Sequence, residues 1–478
     1  MFGKDRDTMI EAGILSTEKT FGREKNKVLY QCRPYGGGEP VLIPYQQKNL
    51  SFSKSITQFH VLFRRGGDGQ CIMQEMIGSA QETANYYKYE LWANELGSNP
   101  TRKMEKHLPS LEEPTATHSY SHVFTIDPEG SRDFDDAFAV TTLSERQWIV
   151  HVFIANVPKV LELYGLWPHL SDRMSTIYLP DKTYPIFPRK LSEDFCSLRE
   201  GTVRYCFVMN VTVETNKVTK IDFDCQNVFI SKNYDYMSTT LQRNKSFQQL
   251  MELTTILKHG QPLTSKEMVE YWMIRMNEAV AQRLPEGMLR TTVSMQQTTI
   301  PSWKGMYVPC ATTKSTWHEP LQLERYTHVT SPIRRFVDVL NLTLFQHSLQ
   351  CTVFSQATLE RVRQFIQEKC DFLNSQVDRI KKVQNRCAWI EVCEHKCPFQ
   401  TTGQVLEIRE PTDTTGQYEA LFYFPNEKLY KKYKSCYSVV KVGGWYHVEF
   451  YYVQAPEWHN KIRIMIKKEV ENKTEQGK

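Results

Sequence analysis

The chain of 478 residues is 40% hydrophobic and 12% aromatic, which is enough apolar material for several cores and excludes a wholly disordered protein. Its 59 Lys and Arg against 54 Asp and Glu leave a net charge of +5, which argues against a polybasic, histone-like mode of action. A local basic groove for nucleic acid is compatible with this balance. Length alone predicts about three domains.

Cysteine usage and the N-terminus bear on the cellular compartment. Twelve cysteines at irregular spacings are too few for a disulfide scaffold. The N-terminus, MFGKDRDTMIEAG, lacks the apolar core of a signal peptide, and no stretch approaches about eighteen uninterrupted apolar residues. We therefore expect a reduced intracellular protein in the cytoplasm or the nucleus.

The first part of the chain contains short β-type runs, with Gly66–Gly69 as a hairpin turn. These features predict a small β region over residues 1–99, which need not be a complete domain. A polar, proline-containing stretch without periodicity follows over residues 100–121 and predicts a linker. The β runs are Val41–Pro44, Phe59–Phe63 and Cys71–Ile77.

Residues 122–395 alternate β-rich runs with long amphipathic patterns, which predicts one large α+β domain. Thr264 and Glu267 have the spacing of a capping box, and apolar residues follow at helical intervals until Pro285. We expect this stripe of Met and Trp side chains to be core and not a ligand site. A second long helix is predicted over Leu359–Glu394.

After Pro398 the pattern changes to five short β runs, which predicts an OB-type barrel over residues 398–470. Such a barrel is a common platform for single-stranded nucleic acid. A β module that only docks on its neighbour fits the same pattern. Residues 471–478 form a polar tail. The five runs are Gly403–Arg409, Tyr418–Pro425, Tyr437–Val442, Tyr446–Val453 and Ile462–Lys467.

An acidic cluster follows the first β run of the large domain. Asp127 enters a Pro/Gly turn, and Asp133, Asp135 and Asp136 come within the next nine residues. Four carboxylates on one loop repel one another unless a cation lies among them. Oxygen ligands without His or Cys favour Mg²⁺, or Mn²⁺ in its place, and two such ions can stabilise an in-line displacement at phosphorus. A solvated acidic turn is the alternative.

A second stretch, YTHVTSPIRRFVD, places Arg334 and Arg335 just after a Ser-Pro pair that favours a helix start. Backbone amides, the helix dipole and a guanidinium together make a good phosphate site. The alternative is an ordinary helix start with solvated arginines.

Together these stretches resemble the RNB family, which comprises ribonuclease II, ribonuclease R and the catalytic exosome subunit. TIDPEGSRDFDDA is similar to the family's Asp-x5-Asp-x-Asp-Asp signature, and YTHVTSPIRRFVD to its second signature, in the right order. Between them, IYLPDKTYPIFPRKLSEDFCSL and MVEYWMIRMNEAVAQRL resemble two further family stretches. The likeness covers about residues 120–395 and extends more weakly to cold-shock and OB-type flanking domains.

The resemblance implies a processive 3′→5′ hydrolytic exoribonuclease that releases nucleoside 5′-monophosphates from single-stranded RNA. The four aspartates match the family's catalytic set, with Asp135 as the one whose loss abolishes the chemistry. Arg334 matches the arginine that holds the terminal phosphates, and Arg335 lies beside it as a second RNA contact. The implied metal ligands are Asp127, Asp133 and Asp136, and the implied base-packing aromatics are Tyr178 and Tyr234.

Several departures from the family pattern keep two rival functions open. Asn156 stands where relatives carry Asp, Leu342 where they carry His, and Val383-Gln384 where some carry a functional glutamate. The segment between Arg290 and Trp317 is much shorter than in relatives. One rival is a catalytically silent RNB-like module that binds RNA or protein in a larger RNA-decay assembly, or beside helicase-type domains. The other is a nuclease with relaxed sugar choice.

The remaining motifs are weak. Cys387, Cys393, His395 and Cys397 are too tightly spaced for a usual zinc site. Gly36–Gly38 lacks the context of a phosphate loop and is interpreted as a flexible turn. His318 and His328 are isolated, and we expect both to be structural.

Overall fold

The computed structural model describes residues 10–46, 56–66, 70–98, 101–294, 303–312, 315–410, 416–435, 440–453, 455, 457 and 461–470. Most of the predicted turn at Gly66–Gly69, part of the predicted strand Tyr437–Val442 and the tail 471–478 lie outside these residues.

The N-terminal part is an antiparallel five-stranded sheet in the order β3-β2-β1-β4-β5. Alternating side chains such as Leu15, Val61 and Phe63 are buried on its inner face. Gly36–Gly38, between β2 and β3, all have positive φ, which glycine adopts without strain. The strands are β1 Glu11–Glu24, β2 Lys27–Pro34, β3 Val41–Tyr45, β4 Gln58–Arg65 and β5 Cys71–Ser79.

Two helices follow, α1 Thr83–Ala93 and α2 Arg102–Glu105. The second lies in the stretch predicted as a linker without secondary structure. That stretch is packed onto the central domain, because Met104 is buried in the main core and the backbone N–H of Thr117 donates to the carbonyl of Asn227.

The centre of the molecule is a six-stranded sheet in the order β12-β11-β8-β7-β6-β13. All its pairings are antiparallel except that of β13 with β6, which is parallel. A short helix, α3, and a two-stranded ribbon, β9 and β10, come between β8 and β11. The elements are β6 Phe124–Asp127, β7 Asp136–Ser144, β8 Gln147–Ala155, α3 Val157–Leu163, β9 Ile177–Tyr178, β10 Thr183–Tyr184, β11 Val203–Glu214, β12 Lys217–Phe229 and β13 Lys232–Asp235.

Helices cover the sheet and carry the chain onward. The predicted capping box is present at the start of α6: the hydroxyl of Thr264 accepts from the backbone of Glu267, whose carboxylate accepts from that of Thr264. Met268, Trp272 and Met276 are buried, which confirms that this stripe is core. The elements are α4 Thr239–Gln242, α5 Lys245–Leu257, α6 Ser265–Arg283, β14 Met288–Ser294, β15 Trp303–Pro309, α7 Phe336–Ser348, α8 Gln356–Glu368 and α9 Cys370–Lys396.

The prediction of one helix over Leu359–Glu394 is wrong, because this part of the chain forms α8 and α9. The helices meet at Lys369, whose backbone leaves the helical region at φ −117° and ψ 14°. The apolar periodicity continues across the break, and neither Pro nor Gly marks it. The break lets α8 pack into the central core while α9 runs on to the terminal sheets.

The C-terminal sheet repeats the strand order of the N-terminal one, as β18-β17-β16-β19-β20. The predicted third strand, Tyr437–Val442, is wrong: the third strand lies earlier, and residues 440–442 are not in a strand. Its sequence, LYKKYKS, contains three lysines among seven residues, and this weakens the hydrophobic signal. The strands are β16 Phe399–Arg409, β17 Tyr418–Phe424, β18 Leu429–Ser435, β19 Trp445–Tyr452 and β20 Ile462–Glu469.

The α+β class predicted from the sequence is confirmed, with a five-stranded sheet at each end of a larger central domain. In the part of the chain described here, no helix has both the length and the apolar character needed to cross a bilayer.

A buried ion pair joins the N-terminal region to α9. Glu90, on α1, is 0% exposed, and its carboxylate accepts from Arg386 Nη1 at 3.1 Å and from the hydroxyl of Tyr86 at 2.8 Å. A second contact between the same regions, Glu95 with Arg379, is exposed to solvent.

We predict that Glu90→Gln lowers the free energy of unfolding by about 3 kcal/mol, because it leaves a largely buried guanidinium without its carboxylate. Glu95→Gln is the matched control, and its effect should stay below about 1 kcal/mol because its pair is screened by water. Urea unfolding of both variants measures the difference. Equal effects would mean that burial of the Glu90 pair is not what stabilises this junction.

Candidate functional site

The acidic loop begins and ends on neighbouring strands of the central sheet. β6 ends at Asp127 and β7 begins at Asp136, and the two strands pair antiparallel through Phe124 and Phe138. Because β6 also pairs with β13 on its other side, Asp127 lies within the sheet and not at its edge. The loop therefore returns to the place where it started, and its carboxylates converge there.

Ser197 holds the acidic loop from outside the sheet. Its hydroxyl donates to the carbonyl of Arg132 at 2.8 Å and accepts from the backbone N–H of Phe134 at 3.0 Å. The N–H of Leu198 donates to the carbonyl of Phe134. This part of the family-like stretch IYLPDKTYPIFPRKLSEDFCSL therefore shapes the loop that carries the aspartates.

Asp135 joins the acidic loop, residues 127–136, to the arginine stretch, residues 326–338. Its side chain is 4% exposed, Oδ1 accepts from the backbone N–H of Ile333 at 2.9 Å, and Oδ2 accepts from Arg334 Nε at 3.3 Å. Burial raises the pKa of Asp135 to about 8, against the opposing effect of the Arg334 charge. The two family-like signatures, far apart in sequence, meet at this carboxylate.

Asp127 and Asp136 each have a buried carboxylate oxygen, Oδ2, with no hydrogen-bond partner among the described residues. Burial raises the pKa of Asp127 to about 8, and the charge of Asp136 adds to that rise. Burial also raises the pKa of Asp136 to about 7. Two adjacent carboxylates that lack donors suit a divalent cation, which would balance both charges. This pair fits the predicted metal.

Asp133, the third implied metal ligand, has another partner here. Its Oδ2 accepts from the hydroxyl of Tyr178 at 3.1 Å, and the Tyr178 side chain is 42% exposed. Within the described ranges, no group of three or more His, Cys, Asp or Glu side chains is arranged to hold a metal ion. The free oxygens of Asp127 and Asp136 are therefore the ones that best fit a cation. The cysteines near His395 likewise form no metal group.

Gln384 lies at a position where the sequence departs from the family. Its side chain contacts the backbone of Tyr178. Its Oε1 accepts from the N–H of Tyr178 at 2.9 Å. The amide therefore fixes the strand that carries this tyrosine.

The two arginines have different surroundings, and each forms an ion pair with a buried aspartate. Arg334 also donates to Ser331 Oγ at 2.9 Å, and 45% of its side chain is exposed. Arg335 donates to Asp338 at 2.8 Å; Asp338 is 0% exposed and also accepts from the N–H of Ser331. The helix α7 begins only at Phe336, so the predicted helix start at Ser-Pro is wrong.

Two asparagines that we did not single out from the sequence hold the stretch before Arg334. Asn277, on α6, accepts from the N–H of Val329 and donates to the hydroxyl of Tyr326. Asn341, on α7, accepts from the N–H of Met288 and donates to the carbonyls of Met288 and His328 and to Thr327 Oγ1. Both are buried, and a polar residue at a buried position of a largely apolar helix was the available signal.

Tyr234 lies in β13, and Tyr236 follows the end of that strand at Asp235. The ring of Tyr234 is half-buried against Phe124, at 6.2 Å between centroids, and its hydroxyl accepts from Asn244. Tyr236 donates its backbone N–H to the carbonyl of Asp127, and burial, with the charges of Asp136 and Asp127, raises the pKa of Tyr236. Tyr236 is thus the aromatic next to the aspartate pair. The role of Tyr234 in base packing stays a prediction.

The other two departures from the family pattern, Asn156 and Leu342, are held within the central domain. Asn156 caps α3 and exchanges amide hydrogen bonds with Gln346 of α7, at 3.1 and 3.0 Å. Leu342 is fully buried in the core.

Comparisons with known proteins show what the chain resembles. Residues 117–258 match the family model "RNB domain". Ribonuclease R of Chlamydia pneumoniae is 23% identical over 334 residues, which are 50% of this chain and 49% of that protein. The chain thus spans about half the length of this curated relative.

Solved structures share the fold at low identity. RNase R of Mycoplasma genitalium, in complex with double-stranded RNA, matches with a TM-score of 0.65 at 14% identity. The match covers 96% of this chain and 95% of the RNase R chain. Yeast Ssd1, described as a pseudonuclease, has a TM-score of 0.61 at 11% identity and covers 93% of this chain and 68% of its own. The fold is therefore RNase R-like, and residues 117–258 of the chain resemble the RNB domain.

We predict that Asn341→Ala lowers the free energy of unfolding by about 3 kcal/mol, because it leaves buried backbone groups of the arginine stretch without partners. Gln364→Ala, on the exposed face of α8, is the control and should change stability by no more than about 0.5 kcal/mol. Thermal and urea unfolding of the two variants measure this. A neutral Asn341→Ala would contradict the positioning role of this amide.

Proposed function

We propose that this chain is a divalent-metal-dependent exoribonuclease that shortens single-stranded RNA from its 3′ end and releases nucleoside 5′-monophosphates. One observation carries the proposal: the free carboxylate oxygens of Asp127 and Asp136 lie in the same site as Arg334, which Asp135 orients. The RNB domain match and the ribonuclease R relatives support it.

In this proposal Arg334 binds phosphate. Asp135 and Ser331 hold two of its nitrogens, and the exposed part of the guanidinium faces solvent. Its planar fork suits the oxygens of a phosphate better than a point charge does. Arg335 stabilises the backbone next to Arg334, because its own guanidinium donates to the buried Asp338.

Asp127 and Asp136 would hold the metal, Mg²⁺ or Mn²⁺, with hard oxygen ligands. When bound, such an ion lowers the pKa of a coordinated water and neutralises charge on phosphoryl oxygens. Asp135 keeps the guanidinium of Arg334 directed at the scissile phosphate. Because this orientation exists before RNA binds, less entropy is lost on the way to in-line attack, and the barrier is lower.

Tyr178 is the proposed base contact. Its ring is partly exposed, and Asp133 fixes the hydroxyl while Gln384 fixes the backbone. A rigid aromatic face stacks on any base, which suits digestion without regard to sequence. Tyr234 would support this region through Phe124, and Tyr236 lies closer to the aspartates.

The C-terminal sheet offers a second RNA contact away from the site. The rings of Tyr423 and Tyr430 lie 4.9 Å apart on β17 and β18, and exposed Lys432 and Lys434 follow on β18. Aromatic rings beside lysines are typical of surfaces that bind single strands. We also propose that the protein acts in the cytoplasm or the nucleus, alone or within a larger RNA-decay assembly.

A silent RNA-binding module is the second candidate, and three observations favour it. Asp135 is already neutralised by Arg334, and the described residues assemble no group of three metal ligands. The fold is also shared with the pseudonuclease Ssd1.

One experiment separates the two candidates. The purified chain is incubated with 5′-labelled single-stranded RNA, with Mg²⁺ or with EDTA, and samples are resolved on a sequencing gel and a native gel. A ladder that shortens from the 3′ end only with Mg²⁺ supports the exoribonuclease. Intact but retarded RNA supports the silent module. DNA of the same sequence tests sugar selectivity in parallel.

We predict that Asp135→Asn abolishes RNA shortening and leaves RNA affinity within a few-fold, because it removes the carboxylate that orients Arg334 and leaves the other proposed RNA contacts unchanged. Asp222→Asn, an exposed carboxylate on β12, is the control and should retain activity. Gel shortening and filter binding give the two readouts. If Asp135→Asn digested RNA at the wild-type rate, the proposed role of Asp135 in the reaction would be wrong.

We further predict that Arg334→Lys slows turnover by about ten-fold or more, since Lys keeps the charge but loses the planar fork. Arg335→Lys should instead lower the melting temperature, because Arg335 compensates the buried Asp338. Single-turnover rates and melting curves of both variants distinguish the roles. Small, equal effects on turnover at the two positions would refute the phosphate contact.

A further inference from the structure

Two cysteines face each other on the side of the domain where α7 ends. Cys225 is on the edge strand β12, and Cys351 follows α7 in the next turn. Their sulfur atoms are 2.7 Å apart, although the residues are 126 positions apart in sequence. Both are free thiols, and both are partly accessible to solvent. A disulfide needs a sulfur separation of about 2.05 Å, so a displacement of less than an ångström would join them.

Neighbouring polar groups hold the pair in place. The thiol of Cys225 lies 3.3 Å from Gln346 Oε1 and accepts from the hydroxyl of Thr352 at 3.4 Å. Gln346 is itself fixed by the amide exchange with Asn156. Because α7 and the loop after it supply one side of this network and β12 the other, the two sulfurs have little freedom to separate.

The two thiols differ in reactivity. A hydrogen bond from Cys225 lowers the pKa of Cys351, against the opposing effects of burial and of the nearby Asp224 charge. The thiolate is the reactive form of cysteine towards oxidants. Cys351 is therefore the nucleophile of the pair, and Cys225 is the neighbour that can resolve its oxidised form.

We propose that Cys225 and Cys351 are a redox modification site that closes to a reversible disulfide when the protein meets a hydroperoxide. The Cys351 thiolate attacks the peroxide, the O–O bond breaks, and a sulfenic acid forms with release of hydroxide. The sulfur of Cys225 then attacks the sulfenic sulfur, and water leaves. In sum, two thiols and one hydrogen peroxide give one disulfide and two waters, and a dithiol reductant reverses the change.

The cross-link would act on stability and not on the reacting groups. It fastens the C-terminal end of α7 to the edge of the central sheet, and α7 carries Asp338 and Asn341, which hold the arginine stretch. The oxidised protein should therefore resist unfolding better than the reduced one, because the closed loop restricts the unfolded chain. This inference is independent of the proposed function.

The test is peptide mapping of the whole chain. The protein is treated with a small excess of hydrogen peroxide, alkylated with iodoacetamide and digested without reductant. We expect a cross-linked pair of peptides that contain Cys225 and Cys351, and alkylation of Cys351 reduced by about ten-fold. The oxidised protein should melt several degrees higher, and dithiothreitol should reverse both changes.

Matched variants make the result specific. Cys351→Ser should abolish the cross-link and the shift in melting temperature, whereas Cys310→Ser, which removes another partly exposed thiol, should preserve both. The thiols of Cys393 and Cys397 are hydrogen-bonded to each other and form the competing pair. A cross-link at that pair alone, or full alkylation of Cys225 and Cys351 after peroxide, would overturn the proposal.

Discussion

The carboxylate of Asp135 connects two loops whose residues are 199 positions apart, and the arrangement of the site depends on this contact. The backbone of Ile333 and the side chain of Arg334 both donate to it. Since a buried carboxylate without partners is costly, the acidic loop and the arginine stretch stabilise each other. Ser197 on one side and Asp338 on the other complete the support, so the aspartate pair and the guanidinium keep a fixed relation.

The helix α9 has a corresponding role for the outer parts of the molecule. Trp389 stacks on Phe450 of the C-terminal sheet at 4.6 Å between ring centroids, and Arg386 pairs with Glu90 of α1. Near its start, Asn374 exchanges backbone hydrogen bonds with Tyr307 of β15. One helix thus fixes both terminal regions and the β14–β15 strand pair. The site therefore lies in a domain whose two flanking sheets both pack against α9.

Local chemistry explains what could be predicted from the sequence, and tertiary contacts explain what could not. The capping box and apolar stripe of α6 are local and were predictable. The break between α8 and α9 at Lys369 is marked by neither Pro nor Gly. In β18, the lysines conceal the hydrophobic pattern of a strand. The acidic loop and Arg334 were identifiable from residue type and order. The ion pair of Arg335 with the buried Asp338, by contrast, depends on packing around α7 that no periodicity encodes.

The long separation between the residues of the site also has a consequence during synthesis. A polypeptide emerges from the ribosome from its N-terminus, and domains fold as units once their segments are available. The strand β6 cannot be enclosed until β13 has been made, and Asp135 has no guanidinium partner until Arg334 follows. Gln384, which fixes Tyr178, comes later still. A nascent chain therefore carries its aspartates in an unassembled state while it is next to its own messenger RNA.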